Sequence, residues 1–239
     1  MYCKIGYISA ACGTGEAMSN VTYSGIVLSS MPIGEYDRRL EILTAEAGRI
    51  SAFARGARRP SSNLVAPSRA FAFGQFELFQ GKSSYSLERA NITHYFEELT
   101  QDVDLTYYGF YFLEVSRYFS RENVPAADEL ELLYYSLRAL SLPQLDNRLI
   151  RAIFEIKILD LNGVCPPPER IEEAQGRFAF AAGMQNGTMY AIRFVLNSPV
   201  KKLFTFKLSD SVLDEFAAAA TELMDMSVDQ KFKSLEFLC

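Results

Sequence analysis

Close to residue 100 the hydrophobic period of this 239-residue chain changes, and the two periods demand different architectures. From Val21 to about Phe96 the pattern is of short β-type runs: VTYSGIVLSS, RRLEILTA, GRISAFARG, AFAFGQFELFQG and SSYSLERANI. Between them stand Pro32-Ile33-Gly34, Ala47-Gly48, Arg59-Pro60-Ser61-Ser62 and Gly81-Lys82-Ser83, whose backbone preferences end strands and make turns. Five strands in so short a stretch suit a small closed barrel, because closure leaves no strand edge unpaired. The OB-fold is the five-stranded form, with an SH3-like barrel as its competitor.

After Asp102 apolar residues recur at three- and four-residue steps. Leu105, Tyr108, Phe112, Val115 and Phe119 form one stripe; Leu130, Leu133, Leu137 and Leu140 form a second; Leu149, Ile153, Ile156 and Leu159 form a third. Three such helices in succession predict a bundle. Gly163 suits the position after the third helix, and the prolines of CPPPE forbid its continuation. From Pro166 to Lys202, glycines and the runs RFAFAAG and MYAIRFVL read as a small irregular β insertion. Helix is expected again from Ser209, with Val212, Phe216, Ala219 and Leu223 on one face and a capping box from Ser211 to Asp214; QKFKSLEFL closes the bundle with a short helix. The expected fold is therefore α+β: a barrel domain over residues 18–98, then a helical domain over 99–239 carrying an insertion at about 166–202. Residues 1–17 show no sustained period, and Met18 is expected to be the authentic start.

Charge follows the same division. Residues 18–90 hold 9 Lys and Arg against 6 Asp and Glu, a balance of +3, whereas residues 91–239 hold 14 against 22, a balance of −8. A basic part joined to an acidic part predicts that one meets a polyanion and the other does something else. Little in the chain supports catalysis. His94 is the only histidine and is expected to be structural; a multi-histidine metal site or a serine–histidine triad has no second imidazole to use. No phosphate-binding glycine loop of the hydrolase type is present, and Gly13-Thr14-Gly15 follows no strand. Glu97, Glu98, Asp102 and Asp104 could hold magnesium, as a nuclease would require, but read better as a solvated helix start. Cys3, Cys12, Cys165 and Cys239 are scattered and read as free thiols in a reducing cytosol. No cofactor and no metal are expected. No apolar run is long enough for a bilayer, and the opening residues make a poor signal peptide.

One stretch does point to chemistry. RISAFARGARRPSSN carries Arg49, Arg55, Arg58 and Arg59, and from Ala47 to Phe76 there is no acid at all, so Arg69 joins them without a local counter-charge. Phe53 stands among these cations. Flexible cations beside an aromatic suit single-stranded nucleic acid, which offers phosphates and unpaired bases together; the alternative is an exposed loop with Phe53 in the core. Arg38, Arg39 and Lys82 complete the candidate DNA-binding set.

GIVLSSMPIGEYDRRLEILTAEAGRISAFARGARRPSSN, continued by FELFQGKSSYSLERANI, closely resembles the opening of the RecO family of bacterial recombination mediators. The likeness continues through DNRLIRAIFEIKILDLNGVCPPPE and KKLFTFKLSDSVLDEF to FKSLEFL. The resemblance implies an N-terminal OB-fold that binds single- and double-stranded DNA, strand annealing, and cooperation with RecR to place RecA on DNA coated by the single-strand binding protein SSB. It also implies a cytoplasmic protein working at the nucleoid. Many members carry a zinc-bearing insertion. Here Cys165 precedes the place where the first zinc thiolates would lie, and PPERIEEAQGRFAFAAGMQNGTMY contains no cysteine. This insertion is predicted to be zinc-free and held by apolar residues such as Phe178, Phe180, Met184 and Tyr190. The acidic SSB tail calls for an apolar pocket edged by cations, a chemistry that Tyr108, Phe112, Arg117, Arg121 and Arg138 offer.

Overall fold

Strand β1 (Ser19–Ile33) is long enough to serve two partners in a computed structural model that describes residues 19–82, 84–167, 170–171 and 184–237. Its first half pairs antiparallel with β4 (Phe73–Gln80) and its second half with β2 (Asp37–Thr44), the change of partner falling at Gly25 and Ile26. A side chain at Gly25 would stand 2.5 Å from the Leu43 carbonyl oxygen, so only glycine lets the strands cross this closely. Strands β3 (Gly48–Ala54) and β5 (Tyr85–His94) complete a closed barrel in the order β1-β2-β3-β5-β4, the strand ring of an OB-like fold.

Runs that are apolar without alternation mark where both faces of a strand are covered. Val27, Leu40, Ile42, Ile50, Phe76 and Leu78 fill the barrel interior. Ile26, Leu28 and Leu43 point the other way and join the core of the helical region, as does Phe71 from the β3–β4 connection. That is why GIVL and LEILT are buried without interruption.

A short 3-10 turn, Glu97–Gln101, leads into helix α1 (Val103–Phe119), where Asp102 caps the first turn by accepting from the Leu105 N–H at 3.0 Å. Helices α2 (Ala127–Leu140) and α3 (Asn147–Leu161) follow. Helix α3 is the central member, with Ala152 to Leu159 all buried; the Phe112 and Phe154 rings lie 4.4 Å apart between α1 and α3. Two charged residues share this burial because each is answered. Glu155 accepts from the Tyr111 hydroxyl at 2.5 Å and Arg151 Nε at 2.7 Å, and Lys157 donates to Asp160 at 2.8 Å and the Leu196 carbonyl at 3.0 Å.

The expected β insertion is corrected in its second half. MYAIRFVL lies in helix α4 (Asn186–Asn197), whose Thr188, Ala191, Ile192 and Val195 are buried at steps of three, one and three. β-branched and aromatic composition suggested a strand, but the helical period of the burial decides. RFAFAAG, Phe178 and Phe180 lie outside the described residues, as do residues 1–18 with Gly13-Thr14-Gly15 and the remaining cysteines. Met184 does pack on the core, whereas Tyr190 is 73% exposed and holds nothing in place. Helix α5 (Asp210–Ser227) begins after Ser209, two residues ahead of the expected capping box, and Ser209 makes no side-chain cap. A final 3-10 turn, Lys233–Phe237, lies along α1, its first two N–H groups bonding Glu114.

Barrel and helices are clipped together by backbone. The α1–α2 connection runs antiparallel to the β2–β3 hairpin: Arg49 N–H donates to Arg121, Asn123 to Ala47 and Ala126 to Ala45, each at 3.0 Å. Gly48, at φ +65°, is required there, since a Cβ would meet the Arg121 and Val124 carbonyl oxygens at 2.2 and 2.4 Å. No helix among the described residues is long and apolar enough to cross a membrane.

Candidate nucleic-acid interface

Strict alternation along β3 decides the position of Phe53. Gly48, Ile50, Ala52 and Ala54 are buried, while Arg49, Ser51 and Phe53 face outward and are half-buried. Phe53 is therefore a surface aromatic. Across the ladder it stands opposite Arg39 of β2, whose Nε donates to the Ser51 hydroxyl at 3.1 Å. On its other side lies Ser86 of β5, in a parallel seam only two residue pairs long.

Two depressions flank this seam and share Gly81, Ser84 and Tyr85. The larger, about 450 Å³, takes the later β3 residues and is walled by Phe53, Arg55, Ile33 and Phe79. The smaller, about 180 Å³, takes the earlier ones and is polar, with Arg49, Ser51, Lys82, Asn123 and the carboxylate of Glu122 around it. One end thus offers ring faces and the other cations and hydrogen-bond donors.

The β3–β4 connection folds over the β1–β2 turn. Gly56 N–H donates to Asp37 at 2.7 Å, Arg58 N–H to the Tyr36 carbonyl at 2.8 Å and Arg58 Nη1 to the Gly34 carbonyl at 3.1 Å, while the Arg59 guanidinium lies 4.8 Å from the centre of the Tyr36 ring. These contacts orient the arginines without neutralising them. Among the described residues Arg38, Arg39, Arg55, Arg58, Arg59, Arg69 and Lys82 pair with no carboxylate, and Arg38 donates only to the Ser30 hydroxyl, at 2.9 Å. Arg49 is the exception, with Glu41 at 3.5 Å. Arg69 is exposed but stands apart: the neighbouring Phe71 packs on Phe110 of α1, with ring centres 4.9 Å apart.

The five helical residues expected to form a pocket do not converge. Phe112 is fully buried in the core and cannot meet a partner. Arg117 pairs with Glu41 of the barrel, Arg121 contributes its carbonyl to the β2–β3 hairpin, and Arg138 lies 3.3 Å from His94 Nε2 at the barrel–helix junction. Tyr108 borders a cavity of about 280 Å³ with Arg148 and Arg151. Burial pushes the Tyr108 hydroxyl pKa upward. A second depression, about 260 Å³, lies beside α5, with Met224, Val228, Phe232 and Leu235 as an apolar floor and a mixed charged wall of Arg151 and Lys231 beside Glu155, Asp225 and Glu236. Residues 228–237 supply much of that floor, and no periodicity in the sequence placed them next to Arg151.

Metal chemistry finds no support in the donor set. Asp102 is spent as a helix cap and Glu98 accepts from Ser141; among the described residues no three His, Cys, Asp or Glu side chains gather as a metal site would need. The family's zinc does not fit either, since no Cys or His occurs from Pro166 to Leu238. Burial raises the Cys165 thiol to about 12, the opposite of what a zinc thiolate needs. His94 sits among the Phe73, Phe96 and Tyr134 rings.

An OB-like barrel whose outer face bears arginines and surface rings, clipped to a helical body, defines a modular α+β architecture. Sequence comparison narrows it. The family model described as "Recombination protein O N terminal" matches residues 18–96 and "Recombination protein O C terminal" matches residues 100–170. The chain belongs to the RecO family of DNA repair and recombination mediator proteins. It is 28% identical to the "DNA repair protein RecO" of Acetivibrio thermocellus over 243 residues, covering 92% of this chain and 97% of that one. Similarity to the protein of that name from Caldicellulosiruptor bescii is 27% over 240 residues, 92% and 98% of the two chains, and to that of Caldicellulosiruptor saccharolyticus 34% over 149 residues, 62% and 61%.

Proposed function

We propose that this protein acts by binding DNA through the outer face of the barrel, without catalysis, and that it anneals complementary strands and works with RecR to place RecA on SSB-coated DNA at the cytoplasmic nucleoid. The observation that carries the reading is the outward-facing Phe53 beside Arg55, Phe79 and Tyr85, bordered by arginines that no carboxylate neutralises. Bases from an unpaired strand can stack on the rings, each such stack being worth about 1–3 kcal/mol, while the guanidinium groups take phosphates. Neutralising the backbone of two strands at one surface lowers their mutual repulsion, which is what annealing needs. Double-stranded DNA is held by the phosphates alone.

Fluorescence anisotropy with labelled single-stranded oligonucleotide across a salt series tests the DNA reading. The triple variant Arg55→Ala/Arg58→Ala/Arg59→Ala should bind more weakly, with a log–log salt slope shallower by up to ~2, at ~0.7 per phosphate contact, and an almost unchanged Tm. Equal affinity and slope in variant and parent would remove these arginines from the interface.

A further inference from the structure

Glu41 is an acid on the arginine-bearing face of β2, two residues along from Arg39 and opposite Ser51 of β3. Its side chain is 11% exposed and lies between two arginines of different origin. Arg49 of β3 reaches it with Nη1 at 3.5 Å, and Arg117 of α1 donates from Nη2 at 3.1 Å while its Nε lies against the other carboxylate oxygen. Neither arginine is used up by this contact, since their side chains remain 30% and 48% exposed. Arg49 also walls the polar depression with Lys82, opposite Glu122.

Two guanidinium groups around one carboxylate, with a further lysine at the adjoining cavity, are the donors that a phosphate would use. We propose that Arg49, Lys82 and Arg117 form a latent phosphate site that Glu41 holds partly closed, acting as an internal competitor for the backbone of DNA. The proposal rests on the DNA-binding reading and extends it: the strand's path runs from the barrel face towards α1. The net charge of Glu41 with Arg49 and Arg117 is +1 in place of +2, so the carboxylate also sets how steeply binding falls with salt.

Two substitutions that break the same ion pair are expected to act in opposite directions. Glu41→Gln removes the competitor and should tighten binding of a single-stranded oligonucleotide by about fivefold at 0.1 M salt, with a slope steeper by ~0.7, the effect of one added phosphate contact. Arg117→Gln leaves Glu41 to neutralise Arg49 alone and should weaken binding by about the same factor, with a shallower slope. A purely structural role for the pair would lower Tm in both variants and move affinity in neither direction, or in the same direction in both, and either result overturns the proposal. If Glu41→Gln does not fold, Arg117→Gln decides, since unchanged affinity and slope in that variant alone reject the site. Failure of the wild type to bind any oligonucleotide would instead refute the DNA reading itself.

Discussion

The barrel and the helical region differ in where their phenylalanines concentrate. In the helical core Phe112, Phe154 and Phe216 are fully buried, although Phe110 and Tyr190 of the helices stay on the surface. In the barrel only Phe76 is fully buried, while Phe53 and Phe79 stand on the outer wall beside Arg39 and Arg55. Strand β2 shows the transition within a few residues, since its outward positions pass from exposed Arg39 through nearly buried Glu41 to fully buried Leu43. One end of the barrel wall belongs to the helical core and the other is left to solvent. The lesson is that a strand's outer face need not have a single role, and that the arginines collect where the helices stop.

This contrast can be broken most severely in the helical core. Phe112→Ala should cost about 3–5 kcal/mol of stability, measured by urea unfolding. A cost below ~1 kcal/mol would mean that the α1–α3 contact is not the centre of that core. Next comes the joint. Gly48→Ala forces a left-handed backbone onto a residue with a Cβ and pushes two carbonyls away, so a loss of about 2–4 kcal/mol is expected in the same experiment. A parental Tm would show that the clip is dispensable.

On the barrel's outer face the expected balance is reversed. Phe53→Ala should weaken single-strand binding by about 1–3 kcal/mol, read by anisotropy, while the melting temperature hardly moves. A large fall in Tm with normal affinity would return Phe53 to the role of packing. The smallest effect is a pH dependence in the helices. Burial raises the Glu155 carboxyl above its ordinary value, with Arg151 and Tyr111 opposing the rise. The folded state therefore holds that proton more tightly than the unfolded chain, and this group's contribution to stability declines as pH climbs from the unfolded value through the raised folded one. The Tm of the parent relative to Glu155→Gln should accordingly drop over that interval; a rise would mean that the Arg151 pair outweighs desolvation.

Much of this was legible from residues alone, and the failures have physical causes. Strands β3 and β4 and helices α1 and α2 follow their periods because each buries one definable face. Helix α3 was read as a single stripe, yet it is buried all round, since neighbours that cannot be counted from its own sequence enclose it. MYAIRFVL was misread because β-branched and aromatic content outweighed a three-and-four spacing only partly visible in so short a run. Phe79 was passed over, although it occupies an outward β4 position, between the inward Leu78 and the end of the strand, where a polar residue would be ordinary. Arg49 and Arg117 were named for separate purposes. Only the register of β2 against β3 and the approach of α1 could show that they meet at one carboxylate.

Surface connections are ordinarily where a chain accepts extra residues. The link between α1 and α2 is an exception, because its three backbone hydrogen bonds to the β2–β3 hairpin make its length a fixed measure. One residue added between Arg121 and Asn123 would slip that register and carry α2 out of step with the barrel. The connection around Pro60 to Asn63, exposed at Pro60, Ser61 and Asn63, has no such tether beyond its own turn. The molecule can therefore grow at the β3–β4 connection while the spacing between its two halves stays the same.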